Sequence, residues 1–375
     1  MARSTPIQIT RFGALTALGS TDPGFEALIA GRDGFGPGPD WVPADQPVAC
    51  VTAPLGPDHR TFALAFAALE GLDVDPRGLA VVFATTTSAM LSGEAAIESW
   101  VRGEQPARPV DYLWSHLAHW PAVAVAQRLG ATGPALVVST ACTRGTVAMG
   151  VGADLVRSGR AARALVVGAD GLCRTTTFGF RSLSAYSSTR CRPMDTARDG
   201  MAIGEGAAWL LLEPRTAPRS AGGPRFTLLG VETSSDAWHL TAPDPEGSGV
   251  VRAIRGALGG LDPSVIDHVN AHATGTEAND AAEAAAIVRA APRAAVSATK
   301  GASGHTLGAA GLVEAVWLLQ SMEAGVIPPV AGLVNAVAGV DVSPFVRERE
   351  QTIGVSINLA FGGHNAAVAF VKEPA

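Results

Sequence analysis

Cys142 is the residue whose type and position most directly suggest covalent chemistry. It follows an apolar, β-branched run at 135–140 that predicts a buried strand, and it precedes an apolar stretch at 146–156 that predicts a helix. At such a turn the unpaired N–H groups and the positive end of the helix dipole lower the pKa of a thiol and favour the nucleophilic thiolate. A buried structural thiol is the alternative, because free cysteine is among the most buried residue types.

Three histidines lie in glycine-rich polar segments of the second half of the chain. They are His272 in segment 269–280, His305 in segment 297–311 and His364 in segment 360–365. Taken singly, a histidine in such a turn more often packs or hydrogen-bonds within the fold than takes part in catalysis. Together with Cys142, His272 and His305 form a plausible set of nucleophile and acid/base groups at strand ends.

The elements that must position these residues alternate between strand and helix, which indicates an α/β protein. A stretch rich in Pro, Gly and Ser at 214–224 predicts a linker, after which the alternation starts again. The pair 352–358 and 365–371, separated by a glycine turn, predicts a hairpin. Two halves of similar order suggest an internal duplication without a recognisable sequence repeat.

Composition excludes several classes of protein. The 375 residues are 47% hydrophobic and 17% charged, which favours a large enzyme with buried layers over a disordered chain. A net charge of −6 argues against nucleic acid as a partner. The four cysteines include no CxxC pair, so neither a metal site nor a disulfide framework is expected. No run of about 18 apolar residues predicts a membrane span, and we expect a cytoplasmic protein.

Several motifs make the chain recognisable. They are Ser-Thr-Ala-Cys at 139–142, Arg-Pro-Met-Asp-Thr-Ala-Arg-Asp-Gly at 192–200, Gly-Glu-Gly at 204–206, the segment 236–243, the His272 and His305 segments, and Phe-Gly-Gly at 361–363. In their order and spacing the chain resembles the β-ketoacyl-acyl carrier protein synthases, the condensing enzymes of fatty acid and type II polyketide synthesis. The resemblance implies the thiolase fold, five αβαβα layers built from two duplicated halves.

The same resemblance assigns the chemistry to the two halves. Residues 1–220 would carry the nucleophile Cys142, and residues 225–375 would carry His272, Lys300, His305 and the Phe361 turn. Cys142 would take an acyl group from the phosphopantetheine arm of an acyl carrier protein, with no permanently bound cofactor. The backbone N–H groups of Cys142 and Phe361 would form the oxyanion hole. The two imidazoles would stabilise the enolate left when malonyl-carrier loses carbon dioxide.

Other matched positions would support this site. Lys300 and Glu314 match a family pair, and a glutamate among apolar neighbours needs such a cation. Thr274 and Thr276 match positions that contact the pantetheine arm, with ordinary turn hydroxyls as the alternative. The acids at 280 and 283 resemble helix-start residues that stabilise their helix by capping and dipole.

The departures from the family pattern lie around the expected acyl pocket. Arg144 stands where small residues are usual, Met201 replaces a frequent Phe, and Ala360 replaces a Gly before Phe361. We therefore expect Arg144, Met201 and Ala360 to shape substrate binding, and a polyketide or polyene substrate is a hypothesis that follows. The expected assembly is a homodimer or a heterodimer with a related subunit. The alternative function is a non-elongating, chain-length-factor-like subunit, but such subunits usually lack the nucleophile that Cys142 supplies.

Overall fold

The computed structural model of the protein describes residues 5–55, 59–105, 114–216 and 226–374. Its main strands are β1 (Ile7–Thr16), β2 (Leu79–Ala84), β3 (Ala135–Val138), β4 (Arg163–Asp170), β5 (Gly206–Pro214), β6 (Phe226–Ser235), β7 (His268–Asn270), β8 (Ala295–Ser297), β9 (Ile353–Ala360) and β10 (His364–Lys372). Its α-helices are α1 (Thr21–Ile29), α2 (Arg60–Ala68), α3 (Met90–Val101), α4 (Trp120–Leu129), α5 (Arg144–Arg157), α6 (Arg174–Ser182), α7 (Ser248–Ala257), α8 (Glu277–Ala290), α9 (Lys300–Ser303) and α10 (Ala310–Ala324). Over these residues we find no helix with the length and apolar character needed to cross a membrane.

The order of the strands repeats between the two halves of the chain. In the first half the order is β3-β2-β4-β5-β1, and in the second half it is β8-β7-β9-β10-β6. Each strand of the second sheet therefore takes the position of the strand numbered five lower in the first sheet, so that β8 corresponds to β3 and β6 to β1. The two sheets join through a short antiparallel contact of Ile7–Ile9 with Phe226–Leu228. This repeated topology is the duplication that the alternation of elements suggested, although the two halves share no recognisable sequence repeat.

Five layers follow from where the apolar side chains are buried. The largest core cluster places α5 and α10 between the two sheets, with side chains of β1, β4, β5 and β10 around them. A second cluster packs α7 and α8 on the outer face of the second sheet. A third packs α2 and α4 on the outer face of the first sheet. The layers are thus helix, sheet, helix, sheet, helix, as the expected thiolase fold requires.

The two central helices approach each other closely at their N-terminal ends. A Cβ atom on Gly145 would lie 3.0 Å from the backbone N of Leu312, so a side chain there would push α10 away. Gly311 faces the Thr146 hydroxyl in the same crossing. This contact brings the turn before α5, which carries Cys142, to the turn before α10, which carries His305.

Most predicted elements are present with ends shifted by a few residues, and the hairpin of β9 and β10 is confirmed. The apolar pattern at 60–72 predicts a helix, which in the structure ends earlier, at Ala68. Helix α6 was not anticipated, because Arg-Thr-Thr-Thr-Phe-Gly-Phe contains β-branched residues and a glycine that disfavour helices. The predicted linker lies largely outside the described residues.

Candidate active site

Cys142 lies in a tight turn between β3 and α5. The turn is held by Ala141, whose φ of 50° is in the left-handed region that residues with a Cβ rarely adopt. Cys142 lines a cavity and lies two residues before Arg144, the first residue of α5. The strand-turn-helix placement predicted for Cys142 is therefore confirmed.

The expected lowering of the Cys142 pKa is wrong for the free protein. Burial raises the pKa of this thiol to about 11, and the cations Arg144 and Lys300 oppose that rise. The carboxylates of Asp170 and Glu314 add to it. Removal of the thiol from water thus outweighs the nearby positive charges. The site is built so that the thiolate depends on those cations.

Two buried histidines face the thiol. His272 follows β7, and His305 follows α9 and its Gly304 turn. Their rings meet edge to face with centroids 5.2 Å apart. The Cys142 Sγ and one nitrogen from each imidazole lie within 4.8 Å of one another. Burial first, and the charge of Lys300 second, hold the pKa of both histidines well below 6.5, so both are neutral at physiological pH.

The hydrogen bonds of these histidines fix their tautomers. His272 Nδ1 lies 3.1 Å from Lys300 Nζ and 3.3 Å from Asn358 Nδ2, both of which are donors. His305 Nδ1 accepts the backbone N–H of Leu307 at 3.2 Å. With both Nδ1 atoms acting as acceptors, each neutral ring carries its proton on Nε2. The pair can therefore offer two N–H donors, as an enolate oxygen requires.

The hydrogen bonds of the two histidines also disfavour a metal ion at this site. One cysteine and two histidines at this spacing have the residue types of a three-ligand metal site. A metal needs a free lone pair on each imidazole, but the Nδ1 lone pairs are engaged and the Nε2 atoms are protonated. Lys300 also places a cation next to His272. The arrangement favours donors over metal ligands.

A buried ion pair supports His272 from behind. Lys300 Nζ contacts Glu314 Oε1 and donates to the backbone carbonyl of His272. Asn358 on β9 donates to Glu314 Oε2 at 2.6 Å and accepts from the Thr146 hydroxyl at 2.5 Å. Burial raises the pKa of Glu314, and Lys300 opposes that rise. The sequence reading anticipated Lys300 and Glu314 as a pair but missed Asn358, a buried amide on a strand without a motif to mark it.

The capping role expected for Asp280 and Glu283 is wrong. The first turn of α8 has no side-chain cap, and Glu283 instead accepts the backbone N–H groups of His272 at 2.5 Å and Ala273 at 2.7 Å. Asp280 accepts from Met194 at 2.8 Å and Gly275 at 3.2 Å. Burial and Asp280 raise the pKa of Glu283 to about 8. Both acids thus hold the backbone around the His272 turn.

A cavity lined by Cys142, His272 and His305 opens onto this group. Of the residues expected to bind substrate, Thr274, Thr276, Met201 and Ala360 line it, and the two threonine hydroxyls lie 2.9 Å apart. Phe361 also lines it.

The Phe361 turn contacts two other segments of the chain. Phe361 is 44% exposed, and its ring centroid lies 5.8 Å from that of Phe180, a cavity residue that no sequence motif marked. His364, just after the Phe361 turn, hydrogen-bonds through Nδ1 to the Thr143 hydroxyl at 2.8 Å. The Phe361 turn is therefore tied to the turn that carries Cys142.

Arg144 does not line the cavity, which corrects its expected place in the acyl pocket. Its side chain is buried and turned away along the first turn of α5. The guanidinium donates to the carbonyl of Ala141 at 2.5 Å and to the carbonyl of Thr85 at the end of β2. A long side chain close to Cys142 in sequence suggested a pocket residue, but two backbone carbonyls hold it elsewhere.

Comparison with known proteins decides the family of this chain. The profile of "Beta-ketoacyl synthase, N-terminal domain" matches residues 62–217, and that of "Beta-ketoacyl synthase, C-terminal domain" matches residues 225–334. The chain belongs to the β-ketoacyl synthase family. The family and fold expected from the motifs are therefore confirmed.

Relatives of known name include two proteins called 3-oxoacyl-[acyl-carrier-protein] synthase 2. The one from Mycobacterium leprae is 34% identical over 285 residues, which are 72% of this chain and 68% of the relative. The one from Synechocystis is 36% identical over 262 residues, 65% of this chain and 63% of the relative. The aligned part thus spans about two thirds of these relatives.

Solved structures match over the whole chain. The structure of the ketosynthase ApeO in complex with its chain length factor ApeC, from Xenorhabdus doucetiae, is 31% identical with a TM-score of 0.88, covering 100% of this chain and 99% of that one. The ishigamide ketosynthase/chain length factor is 29% identical with a TM-score of 0.90, covering 99% of this chain and 100% of that one. Both belong to the same family as this chain.

Proposed function

We propose that the protein is an active condensing enzyme that joins an acyl group held on Cys142 to a malonyl unit, with loss of carbon dioxide. The observation that carries this proposal is the group of Cys142 with the buried His272 and His305, in which both imidazoles are neutral and protonated on Nε2. Neutral donors suit a reaction that stabilises an enolate oxygen without protonating the adjacent carbon.

The first step is transfer of the acyl group. The Cys142 thiolate attacks the thioester carbonyl of an acyl-carrier protein, a new C–S bond forms, and the old C–S bond breaks to release the pantetheine thiolate, which takes up a proton. The backbone N–H groups of Cys142 and Phe361 hold the tetrahedral oxyanion. Arg144 and Lys300 supply the positive field that a thiol with a pKa of about 11 needs.

The second step is decarboxylation and condensation. The malonyl thioester loses carbon dioxide, and the electron pair of the broken C–C bond passes into an enolate whose oxygen accepts the Nε2–H groups of His272 and His305. The enolate carbon attacks the acyl group on Cys142, and the Cys142 thiolate leaves. The product is a β-ketoacyl chain two carbons longer on the carrier protein. Lys300, Glu314 and Asn358 position the imidazoles throughout.

The cavity is the route for the carrier's phosphopantetheine arm. Thr274 and Thr276 present adjacent hydroxyls in its wall, which suits the amide groups of that arm. Met201, Phe180 and Ala360 contribute apolar wall for the acyl chain. The arm belongs to the substrate, so the protein needs no resident cofactor.

We propose further that the two halves, residues 1–220 and 225–375, carry the nucleophile and the histidines respectively, and that the chain works as a dimer. Strand β3 is an edge of the first sheet, and Leu136 on it is 38% exposed. Large apolar side chains are also exposed on and after α3, namely Ile97, Trp100, Val101, Trp114 and Leu117. A second copy or a related subunit would cover them. The four cysteines are free, which suits the cytoplasm.

A non-elongating partner subunit is the second candidate, because two structural relatives are complexes of a ketosynthase with a chain length factor. The complete Cys142, His272, Lys300 and His305 group favours the elongating subunit. The two roles are separated by incubating the protein, alone and co-expressed with a related subunit, with acyl-carrier and malonyl-carrier. Formation of a β-ketoacyl product by wild type and not by Cys142→Ala supports the proposal. Equal product from Cys142→Ala would overturn it.

A further inference from the structure

Arg144 occupies an unusual position for a buried cation. It is 5% exposed, lies outside the substrate cavity, and begins helix α5 two residues after Cys142. A buried guanidinium is costly unless its donors and its charge are compensated. Its side chain donates hydrogen bonds to two backbone carbonyls, and both belong to segments that define where the thiol lies.

The first partner is the turn that carries the nucleophile. Arg144 Nε donates to the carbonyl of Ala141, and the backbone N–H of Arg144 contacts the same oxygen at 3.3 Å. Ala141 is the residue with a φ of 50°, a conformation that persists only when its surroundings hold it. Arg144 is therefore one of the groups that hold the strained residue next to Cys142.

The second partner is the end of strand β2. Arg144 donates to the carbonyl of Thr85, whose hydroxyl donates to Asp170 Oδ1 at 2.6 Å. Asp170, at the end of β4, also accepts the backbone N–H groups of Thr86 at 2.8 Å and Gly308 at 2.6 Å. The absence of a side chain at Gly308 leaves space for Arg144, because a Cβ there would lie 2.8 Å from the Arg144 Cδ. The guanidinium thus joins the Cys142 turn to a rigid hydrogen-bonded cluster.

From this geometry we propose that Arg144 is a positioning residue for Cys142, which fixes the nucleophile turn against β2 and keeps a permanent positive charge beside the thiol. The proposal rests on the proposed role of Cys142 as nucleophile. The charged groups that act electrostatically on the thiol include Arg144, Lys300, Asp170 and Glu314, while His272 and His305 are neutral. Of the two cations, Arg144 lowers the Cys142 pKa more.

The test measures the alkylation rate of Cys142 by iodoacetamide from pH 7 to pH 10, with peptide mass spectrometry to separate it from the other three cysteines. Arg144→Met removes the charge and both side-chain bonds, whereas Arg144→Lys keeps the charge. The matched control is Arg157→Met, at the far end of the same helix, roughly 20 Å away. The thermal midpoint of each variant reports folding, and Arg144→Gln replaces Arg144→Met if that variant does not fold.

We expect the profile of Arg144→Met to move to higher pH, with a rate at pH 8 roughly tenfold below that of Arg157→Met, because one unit of thiol pKa changes the thiolate fraction about tenfold. Arg144→Lys should return the profile most of the way to wild type. Rates for folded Arg144→Met that match Arg157→Met at every pH would overturn the proposal, as would an Arg144→Lys profile no better than Arg144→Met. The readout does not require condensation, so failure of the proposed function is distinguishable from failure of this inference.

Discussion

Lys300 Nζ lies 3.1 Å from His272 Nδ1, and this contact assigns the imidazole proton to Nε2. Lys300 also contacts Glu314, so its cation is held in place by a carboxylate that is itself buried. The lysine therefore orients His272 and lowers its pKa while the carboxylate balances the charge.

His305→Ala should lower decarboxylation of malonyl-carrier by about 10²–10³-fold, because it removes one of two donors to the enolate oxygen. His305→Gln, whose amide N–H can reach a similar position, should recover part of the loss. Acyl transfer to Cys142 should change much less in both variants. Release of carbon dioxide and intact-mass detection of the acyl-enzyme measure the two steps separately. Equal losses in both steps would mean that His305 has no special role in decarboxylation.

The histidines should not titrate near their ordinary pKa. Because burial holds the pKa of His272 and His305 well below 6.5, both remain neutral donors as the pH falls through 6.5. Decarboxylation by Cys142→Ala, which lacks the thiol of the site, should therefore stay level between pH 7 and pH 6, a range below the pKa of about 8 of Glu283. A decrease in the decarboxylation rate with a midpoint near pH 6.5 would show that an imidazole with an ordinary pKa takes part in the reaction.

The stability of the fold should depend on pH through the same two histidines. Below about pH 6.5 the unfolded chain binds protons at His272 and His305 that the folded protein does not, so these two residues lower the free energy of unfolding as the pH decreases. Glu283 acts in the opposite direction, because its folded pKa of about 8 lies above its unfolded value, and it is present in wild type and variant alike. Urea unfolding of wild type and of the double variant His272→Gln/His305→Gln between pH 7.5 and pH 5.5 separates the two effects. Relative to the double variant, wild type should lose stability as the pH decreases, and identical slopes would contradict the assigned pKa shifts.

Lys300→Met should destabilise the fold by about 3–5 kcal/mol, since it leaves the Glu314 carboxylate buried without its cation. The double variant Lys300→Met/Glu314→Gln should recover much of that loss. Arg102→Met, which breaks an exposed pair with Glu98, should cost about 1 kcal/mol or less. Chemical denaturation compares the three, and a Lys300→Met cost as small as that of Arg102→Met would contradict the described ion pair.

Met201→Phe should shift substrate preference towards shorter acyl chains. Met201 is buried in the cavity wall, so a ring there reduces the space for the acyl group. We expect kcat/KM for the longest accepted acyl-carrier to fall about tenfold relative to a short one, as for other pockets that discriminate methylene groups. Met201→Leu, which conserves volume, is the control. Parallel losses for all chain lengths would place Met201 outside the acyl pocket.

The fold and the reacting residues were accessible from the sequence because local pattern and motif agree there. Cys142 and His272 follow apolar strands, and the turns that carry His272 and His305 contain Gly275 and Gly304. The duplicated topology places the strand ends of both halves around the same two central helices.

Contacts between distant segments were not accessible. Asn358, Asp170 and Phe180 belong to no motif, and their roles arise only from contacts with Glu314, Thr85 and Phe361, which are distant in sequence. Arg144 was misplaced because sequence position gives proximity to Cys142 but not the direction of a long side chain. The pKa of Cys142 was misjudged because the helix terminus is visible in the sequence, whereas the extent of burial is set by the whole fold.

The proposed reaction requires that Cys142 holds an acyl group which a decarboxylated malonyl unit then removes. Wild type and Cys142→Ala are incubated with acyl-carrier, freed of excess carrier, and weighed intact by mass spectrometry before and after malonyl-carrier is added. We predict an acyl adduct on Cys142 of wild type alone, and its loss on addition of malonyl-carrier together with a β-ketoacyl product. An adduct on another residue, or an adduct that malonyl-carrier leaves in place, would contradict the account.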